Sequence, residues 1–323
     1  MTYRTARSAA RRALPLIALA ALGAGSAALV RKRVAQAEAA HPPIGRFVHI
    51  DGARLHLVEM GSGPETLVLL HGNSSMGEDF LVSGLARMAA ARYRVIVVDR
   101  PGYGYSTRPR RAHGWGPEAQ AHLIHGALKQ VGVENAIVLG HSWGAMVAAA
   151  LALDFPQTVR GLVLEAGYFY PRPRSDILMR APNAVPGLGD LLRHTISPLI
   201  HVAAWPLMAR MIFAPAPVPR NAWRLSPWLL FHPRALGAAS AEMAGILAGA
   251  ARLAPRYPLI RQPTVIIAGR QDAFVNTAQH SARLAEVLPQ AEFRCFDGIG
   301  HMAHHLIPEE VLAAIDMLAV QEQ

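Results

Sequence analysis

The chain has 323 residues, 52% of them hydrophobic and 17% charged, enough apolar material for one large domain with an insertion or for two domains. The formal net charge is +10, but seven of the positives (Arg4, Arg7, Arg11, Arg12, Arg31, Lys32, Arg33) face one acid, Glu38, in the first forty residues. No basic stripe interleaved with aromatics follows, which argues against nucleic acid as a partner.

Residues 13–30 form an uncharged apolar run between Arg11-Arg12 and Arg31-Lys32-Arg33. At about 1.5 Å per residue such a helix is about 27 Å long, enough to cross the core of a bilayer. A membrane anchor is therefore expected within residues 1–40. The basic start and Ala35-Gln36-Ala37 also fit an exported chain with a cleaved signal, although Arg31-Lys32-Arg33 is unusual just before a cleavage site. Positive charge on both sides leaves the side of the membrane open.

His41-Pro42-Pro43 reads as a linker. Residues 47–59 alternate apolar and polar on both sides of Asp51-Gly52, the pattern of a β-hairpin. Thr66–Leu70 is a buried strand that ends in His71-Gly72-Asn73. Residues 78–92 have helical spacing. Tyr93–Val98 is a second apolar strand, and it runs into Asp99-Arg100-Pro101-Gly102-Tyr103-Gly104-Tyr105-Ser106. Residues 117–131 form a helix with Pro117 suited to its first turn.

Ala136-Ile137-Val138-Leu139 is a further strand. Gly140-His141-Ser142-Trp143-Gly144 follows it and fits G-x-S-x-G, and a helix opens at Ala145. Strand, tight turn and helix give this motif its meaning: the turn strains the serine backbone, so its neighbours must be small, and the hydroxyl is raised at a helix N-terminus. Val159–Leu164 is the next strand. These strands are apolar throughout rather than alternating, which predicts a parallel sheet buried on both faces.

Residues 169–260 break the rhythm with many prolines and the helical patches Leu199–Phe213 and Ala235–Leu253. Trp205-Pro206 and Arg210 interrupt the longest apolar run, so a helical lid is expected rather than a second membrane segment. Thr264–Ala268 restores the strand pattern and ends in Gly269-Arg270-Gln271-Asp272. A helix is expected over residues 277–288, a last strand over Glu292–Phe296, then Gly298-Ile299-Gly300-His301. The lone cysteine, Cys295, excludes an intramolecular disulfide and is expected to pack.

A serine hydroxyl needs a base to take its proton, and the base needs an acid to orient it. Asp272 and His301 stand at the ends of consecutive strands after Ser142, in the chain order serine, acid, histidine expected on such a sheet. Rivals exist for each. His304 and His305 lie beside His301; Glu165 ends the strand after the serine helix; Asp297 suits a turn; His71 and His141 suit hydrogen bonds to loop backbone. No H-E-x-x-H or comparable spacing suggests a metal, and no cofactor is expected.

From His71-Gly72-Asn73, the Asp99–Ser106 turn, Gly140–Gly144, Gly269–Asp272 and Gly298–His301, in that order, the chain resembles the α/β-hydrolase superfamily over about residues 45–320. The resemblance implies an α/β fold: a mostly parallel central sheet of about eight strands flanked by helices, its two parts (41–168 and 261–323) separated by a helical cap (169–260). It implies Ser142 as nucleophile, His301 as base, Asp272 as its partner, and an oxyanion hole from the backbone N–H groups of Asn73 and Trp143. Serine at this position argues against the haloalkane dehalogenases and epoxide hydrolases, which use a carboxylate there. What it implies is acyl transfer to water from an ester, thioester or lactone, with a hydrophobic acyl substrate favoured by the apolar cap and the anchor. C–C bond hydrolases, perhydrolases and acyltransferases share the triad, and some members of the fold serve as non-catalytic binding modules.

Overall fold

Asp51 and Gly52 both take positive φ, 45° and 77°, the turn geometry that matches strand twist. It folds β1 (Arg46–Ile50) back on β2 (Ala53–Met60) in antiparallel register. The computed structural model describes residues 2–109, 115–173 and 181–320, with side chains from Ala18 onward except Leu19, Ala181 and Pro182; residues 174–180 of the expected cap lie outside it.

Ahead of the hairpin, α1 runs from Thr2 to Ala40. The expected spanning run 13–30 lies partly outside the described side chains. Among the described residues no single helix is long and apolar enough to cross a membrane.

The hairpin leads into an eight-stranded sheet of order β1-β2-β4-β3-β5-β6-β7-β8. The remaining strands are β3 (Glu65–Leu70), β4 (Tyr93–Val98), β5 (Ala136–His141), β6 (Val159–Glu165), β7 (Thr264–Gly269) and β8 (Ala291–Phe296). From β4 to β8 all neighbours are parallel. Both faces are covered, which explains the continuous apolar runs. In β3, Val68 and Leu70 join the core under α4 (Pro117–Gln130) and α5 (Trp143–Asp154), while Leu67 and Leu69 join the core on the opposite face.

The helix expected over 78–92 is broken in two, α2 (Glu78–Ser83) and α3 (Leu85–Ala89), because Gly84 takes φ 94° between them. Between β6 and β7 the chain is helical. It forms α6 (Leu188–His194), α7 (Ser197–Phe213), α8 (Pro227–Leu230) and α9 (Pro233–Leu253), and among the described residues no strand lies there. Pro206, expected to interrupt its run, sits inside α7, which continues through it. It removes one backbone donor, on the exposed side of the helix. Residues 277–288 form a π turn (Ala278–Ala282) followed by α10 (Arg283–Val287) rather than one α-helix. After β8 come α11 (Ala303–Leu306) and α12 (Pro308–Val320), the latter closing the second face of the sheet.

Register decides where the chemistry gathers. Leu70 pairs with Gly140, His141 with Glu165, and Gly269 with Phe296. The carboxyl ends of β3, β5, β6, β7 and β8 therefore open at one edge of the sheet, the place where parallel α/β sheets carry their sites.

Candidate active site

At the end of β5 the backbone turns sharply: Ser142 takes φ 54° and ψ −115°, a strained conformation for a non-glycine residue. Its neighbours are glycines for a steric reason. A Cβ on Gly140 would lie 2.3 Å from the Gly144 carbonyl oxygen, and one on Gly144 would lie 2.1 Å from the Leu70 carbonyl oxygen. The turn is pinned from the adjacent strand by the Ser142 N–H donating to the Glu165 carbonyl at 2.8 Å. Trp143 is the first residue of α5, so its N–H belongs to the helix N-terminus, where negative charge is favoured.

The loop after β3 presses against this elbow. A Cβ on Gly72 would come within 3.1 Å of the Ser142 Cβ. Its shape is set by His71 and Arg100. The His71 ring donates from Nδ1 to the Gly72 carbonyl (2.8 Å) and accepts the Arg100 backbone N–H at Nε2 (3.0 Å). Burial and the neighbouring Arg100 push the His71 pKa down to about 3, so this ring is neutral. The Arg100 guanidinium, fully buried, donates to the His71 carbonyl (2.6 Å) and the Gly72 carbonyl (2.8 Å). Glu242 on α9 neutralises it at 2.5 Å. The same carboxylate accepts from Asn73 Nδ2 (2.8 Å) and from the Tyr103 hydroxyl (2.6 Å).

His301 follows β8 through Gly298, at φ 74°, and Gly300, where a Cβ would meet the Ala214 carbonyl at 2.0 Å. Its Nδ1 donates to Asp272 Oδ2 at 2.7 Å, with the two side chains only 9% and 1% exposed. Asp272 Oδ1 accepts the N–H groups of Phe274 (2.8 Å) and Val275 (2.9 Å). Burial alone raises this carboxyl, but His301 and the two N–H groups outweigh it and hold it below the ordinary aspartate range. The His301 carbonyl accepts from His141 Nε2 at 2.9 Å, and burial pushes His141 down to about 3, keeping it neutral.

Ser142, Trp143, Asn73 and His301 thus line one cavity of about 180 Å3, and Asp272 sits behind His301. The far wall comes from the cap: Trp205, Met208 and Phe213 of α7, Phe231, and Met243 and Ile246 of α9. Among the described lining residues there is no arginine or lysine.

Glu165, His304, His305 and Asp297 are held in other contacts. Glu165 binds His304, accepting its N–H at 3.0 Å and its Nδ1 at 2.8 Å, and does not touch His301. His304 Nε2 faces Asp79 at 3.4 Å, and His305 Nε2 contacts Asp79 at 2.7 Å. Burial opposes charge on His304, yet the flanking carboxylates raise it to about 10, so a buried imidazolium lies under the site. Asp79, His141 and His304 offer donor atoms within 4.8 Å of one another and are the grouping that could gather on a cation. His304 lies between Asp79 and Glu165 in an ion-pair network, while His141 Nδ1 is buried with no hydrogen-bond partner. Asp297 pairs with Arg270 at the surface.

Two features escaped sequence reasoning, the Arg100–Glu242 pair and the Asp79–His304–Glu165 chain. A signal existed for the first: Glu242 is the only acid in α9, set among alanine, glycine and methionine.

The model for the alpha/beta hydrolase fold matches residues 65–306. A 2-hydroxy-6-oxononadienedioate/2-hydroxy-6-oxononatrienedioate hydrolase of Paraburkholderia phymatum is 30% identical over 77% of this chain and 85% of its own length. Haloalkane dehalogenase 2 of Mycobacterium tuberculosis is 27% identical over 85% of this chain and 94% of its own. Among solved structures, a bacterial membrane phospholipase A superposes with a TM-score of 0.66 at 23% identity, covering 96% of this chain and 99% of its own. Fold, family match and related hydrolases agree, and the chain belongs to the alpha/beta hydrolase fold family.

Proposed function

We propose that the protein is a serine hydrolase that cleaves an ester-type bond of a hydrophobic acyl substrate through an acyl-enzyme. The observation that carries this reading is the placement of Ser142, on a strained elbow, in the wall of an apolar cavity shared with His301, whose Nδ1 is held by Asp272. In this reading His301 Nε2 takes the Ser142 proton as Oγ attacks the acyl carbon. The backbone N–H groups of Asn73 and Trp143 receive the negative charge on the carbonyl oxygen. The proton passes from His301 to the departing alcohol, and water, activated by the same ring, releases the acid. Asp272 holds the imidazolium formed in each half.

The apolar lining favours an uncharged acyl chain. A second reading, hydrolysis of a C–C bond, draws on the 30% identity to the Paraburkholderia enzyme. That relative's substrate is a dioate, and a dianion is poorly matched to a cavity whose described lining holds no arginine or lysine. We also infer that residues 13–30 anchor the chain in a membrane.

The test is a series of 4-nitrophenyl esters of increasing chain length, beside a vinylogous 1,5-diketone acid. Medium-chain esters should turn over faster than the acetate. Preference for acetate, or turnover of the diketone acid alone, would overturn the hydrophobic-ester reading.

A further inference from the structure

The outer face of the cap has the wrong chemistry for water. From Ile196, which caps α7, through Ile200, Ala203, Leu207 and Met211, apolar residues recur every three or four positions and are all exposed, Leu207 by 61%. Arg210 is the one charge on that face. Next to it α6 exposes Leu188 and Leu191, the latter by 60%. Apolar patches of this extent mark an interaction surface.

The N-terminal helix continues the patch. The end of α1 is fixed to the cap, with Val30, Val34 and Ala37 buried and Ala37 in one apolar cluster with Leu229 and Leu230 of α8. Further up, Ala18, Ala21, Leu22, Gly25 and Leu29 face Leu199 of α7 across an open groove, and Leu22 is 71% exposed. The stretch of α1 whose composition suits a bilayer therefore passes the first turn of α7 at Leu199. A membrane that takes up that stretch must also meet the face of α7.

Charge selects the kind of surface. Arg31, Lys32, Arg33 and Arg210 are exposed at its margins, neither α7 nor residues 18–34 of α1 contain an acid, and the one acid of α6, Asp190, is paired with Arg193. An apolar face rimmed by arginine and lysine is the pattern of helices that lie in an anionic lipid interface.

The same helix lines the cavity. The inner side of α7 supplies Trp205, Met208 and Phe213 to the wall around Ser142, and Met211, 52% exposed, belongs to both the lining and the outer stripe. We propose that α6, α7 and residues 18–29 of α1 form a single face that docks on a lipid surface rich in anionic headgroups, and that acyl substrate passes from the lipid past Met211 into the cavity. The passage of substrate rests on the hydrolase reading above; the docking does not.

The test uses the full chain in vesicles rich in phosphatidylglycerol and, beside them, in pure phosphatidylcholine vesicles, to which binding should be weaker; equal binding to both would overturn the anionic preference. A nitrobenzoxadiazole probe is placed on Ile200→Cys, on Leu207→Cys and, as a control on the far side, on exposed Glu309→Cys, each in a Cys295→Ser background. Brominated lipid should quench the probe at residues 200 and 207 and leave the one at 309 bright. Equal brightness at all three positions on vesicle-bound protein would overturn docking by this face, and shielding of 200 and 207 by a second copy in a dimer would overturn it too.

The double variant Ile200→Asp/Leu207→Asp should lose at least about tenfold of its rate on vesicle-borne ester and keep its rate on a soluble short-chain ester. Equal loss on both would overturn the proposed route. Absence of ester hydrolysis by the wild-type chain, with quenching intact, would refute the hydrolase reading and leave the docking face standing.

Discussion

Arg100 and Glu242 meet at 2.5 Å with both side chains fully buried, and this one pair joins the loop beside Ser142 to the longest helix of the cap. Removing one partner leaves an uncompensated buried charge, which costs about 3–5 kcal/mol. Glu242→Ala should lower the melting temperature markedly and reduce kcat. The double variant Arg100→Met/Glu242→Met should recover much of the stability, since apolar replacement of a whole buried pair is often tolerated. Its kcat should stay low, because the His71 carbonyl then loses its Arg100 donor and the Gly72 carbonyl keeps only the His71 ring. Recovery of kcat together with stability would show that the pair has no positioning role.

Two carboxylates compete for the role of triad acid, and their partners separate them. Asp272 faces His301, and Glu165 faces His304. Asp272→Asn should fold normally and lose about 10³–10⁴ in kcat, the scale seen when the orienting acid of such a triad is neutralised. Glu165→Gln should keep kcat within about tenfold while losing stability, because its defect is a weakened partner for a buried imidazolium. Steady-state kinetics on one ester, with melting curves, would check both.

The His304 network also predicts how stability changes with pH. His304 is raised from its ordinary 6.5 to about 10, so it binds a proton more tightly folded than unfolded. Its contribution is complete below pH 6.5 and is lost as the pH climbs through about 10. Glu165 and Asp79 are shifted the other way, down from their ordinary values, so their contribution is present above about pH 4.5 and is lost as acid protonates them. The wild-type melting temperature should therefore decline between pH 6.5 and 10. In His304→Gln it should be lower at pH 6 and flatter across that interval. An unchanged slope in the variant would assign the decline to other groups.

Gly144 offers a steric test of the elbow. A methyl there would be driven into the Leu70 carbonyl at 2.1 Å, and backbone cannot yield as a flexible side chain would. Gly144→Ala should cost about 3 kcal/mol or more, beyond ordinary overpacking. Gly132→Ala, where nothing lies within 4 Å, should pay only for its φ of 73°. Melting temperatures of the two variants should differ in that order.

The sheet was legible in the sequence because its strands are short, apolar and punctuated. Tyr93–Val98 keeps its expected bounds, and Asp51-Gly52 forms the expected turn. That Ser142, Asn73, Trp143 and His301 line one cavity was legible because each lies within a short motif at a strand end, where register brings them together. Breaks inside helices were harder. Gly84 splits α2 from α3 through a left-handed residue that helical spacing does not reveal. Pairs distant in sequence were hidden altogether: Arg100 and Glu242 are separated by 142 positions, and Asp79 and His304 by 225. Their meeting depends on how the cap and the second face close over the sheet, which no local pattern encodes.

Labelling of the detergent-solubilised full chain with a fluorophosphonate, with the adduct mapped by mass spectrometry, tests whether Ser142 is an activated nucleophile. One adduct is expected, on Ser142, absent from Ser142→Ala and slowed in Asp272→Asn. A folded wild-type protein that takes no label, or takes it at another serine, would contradict an activated Ser142.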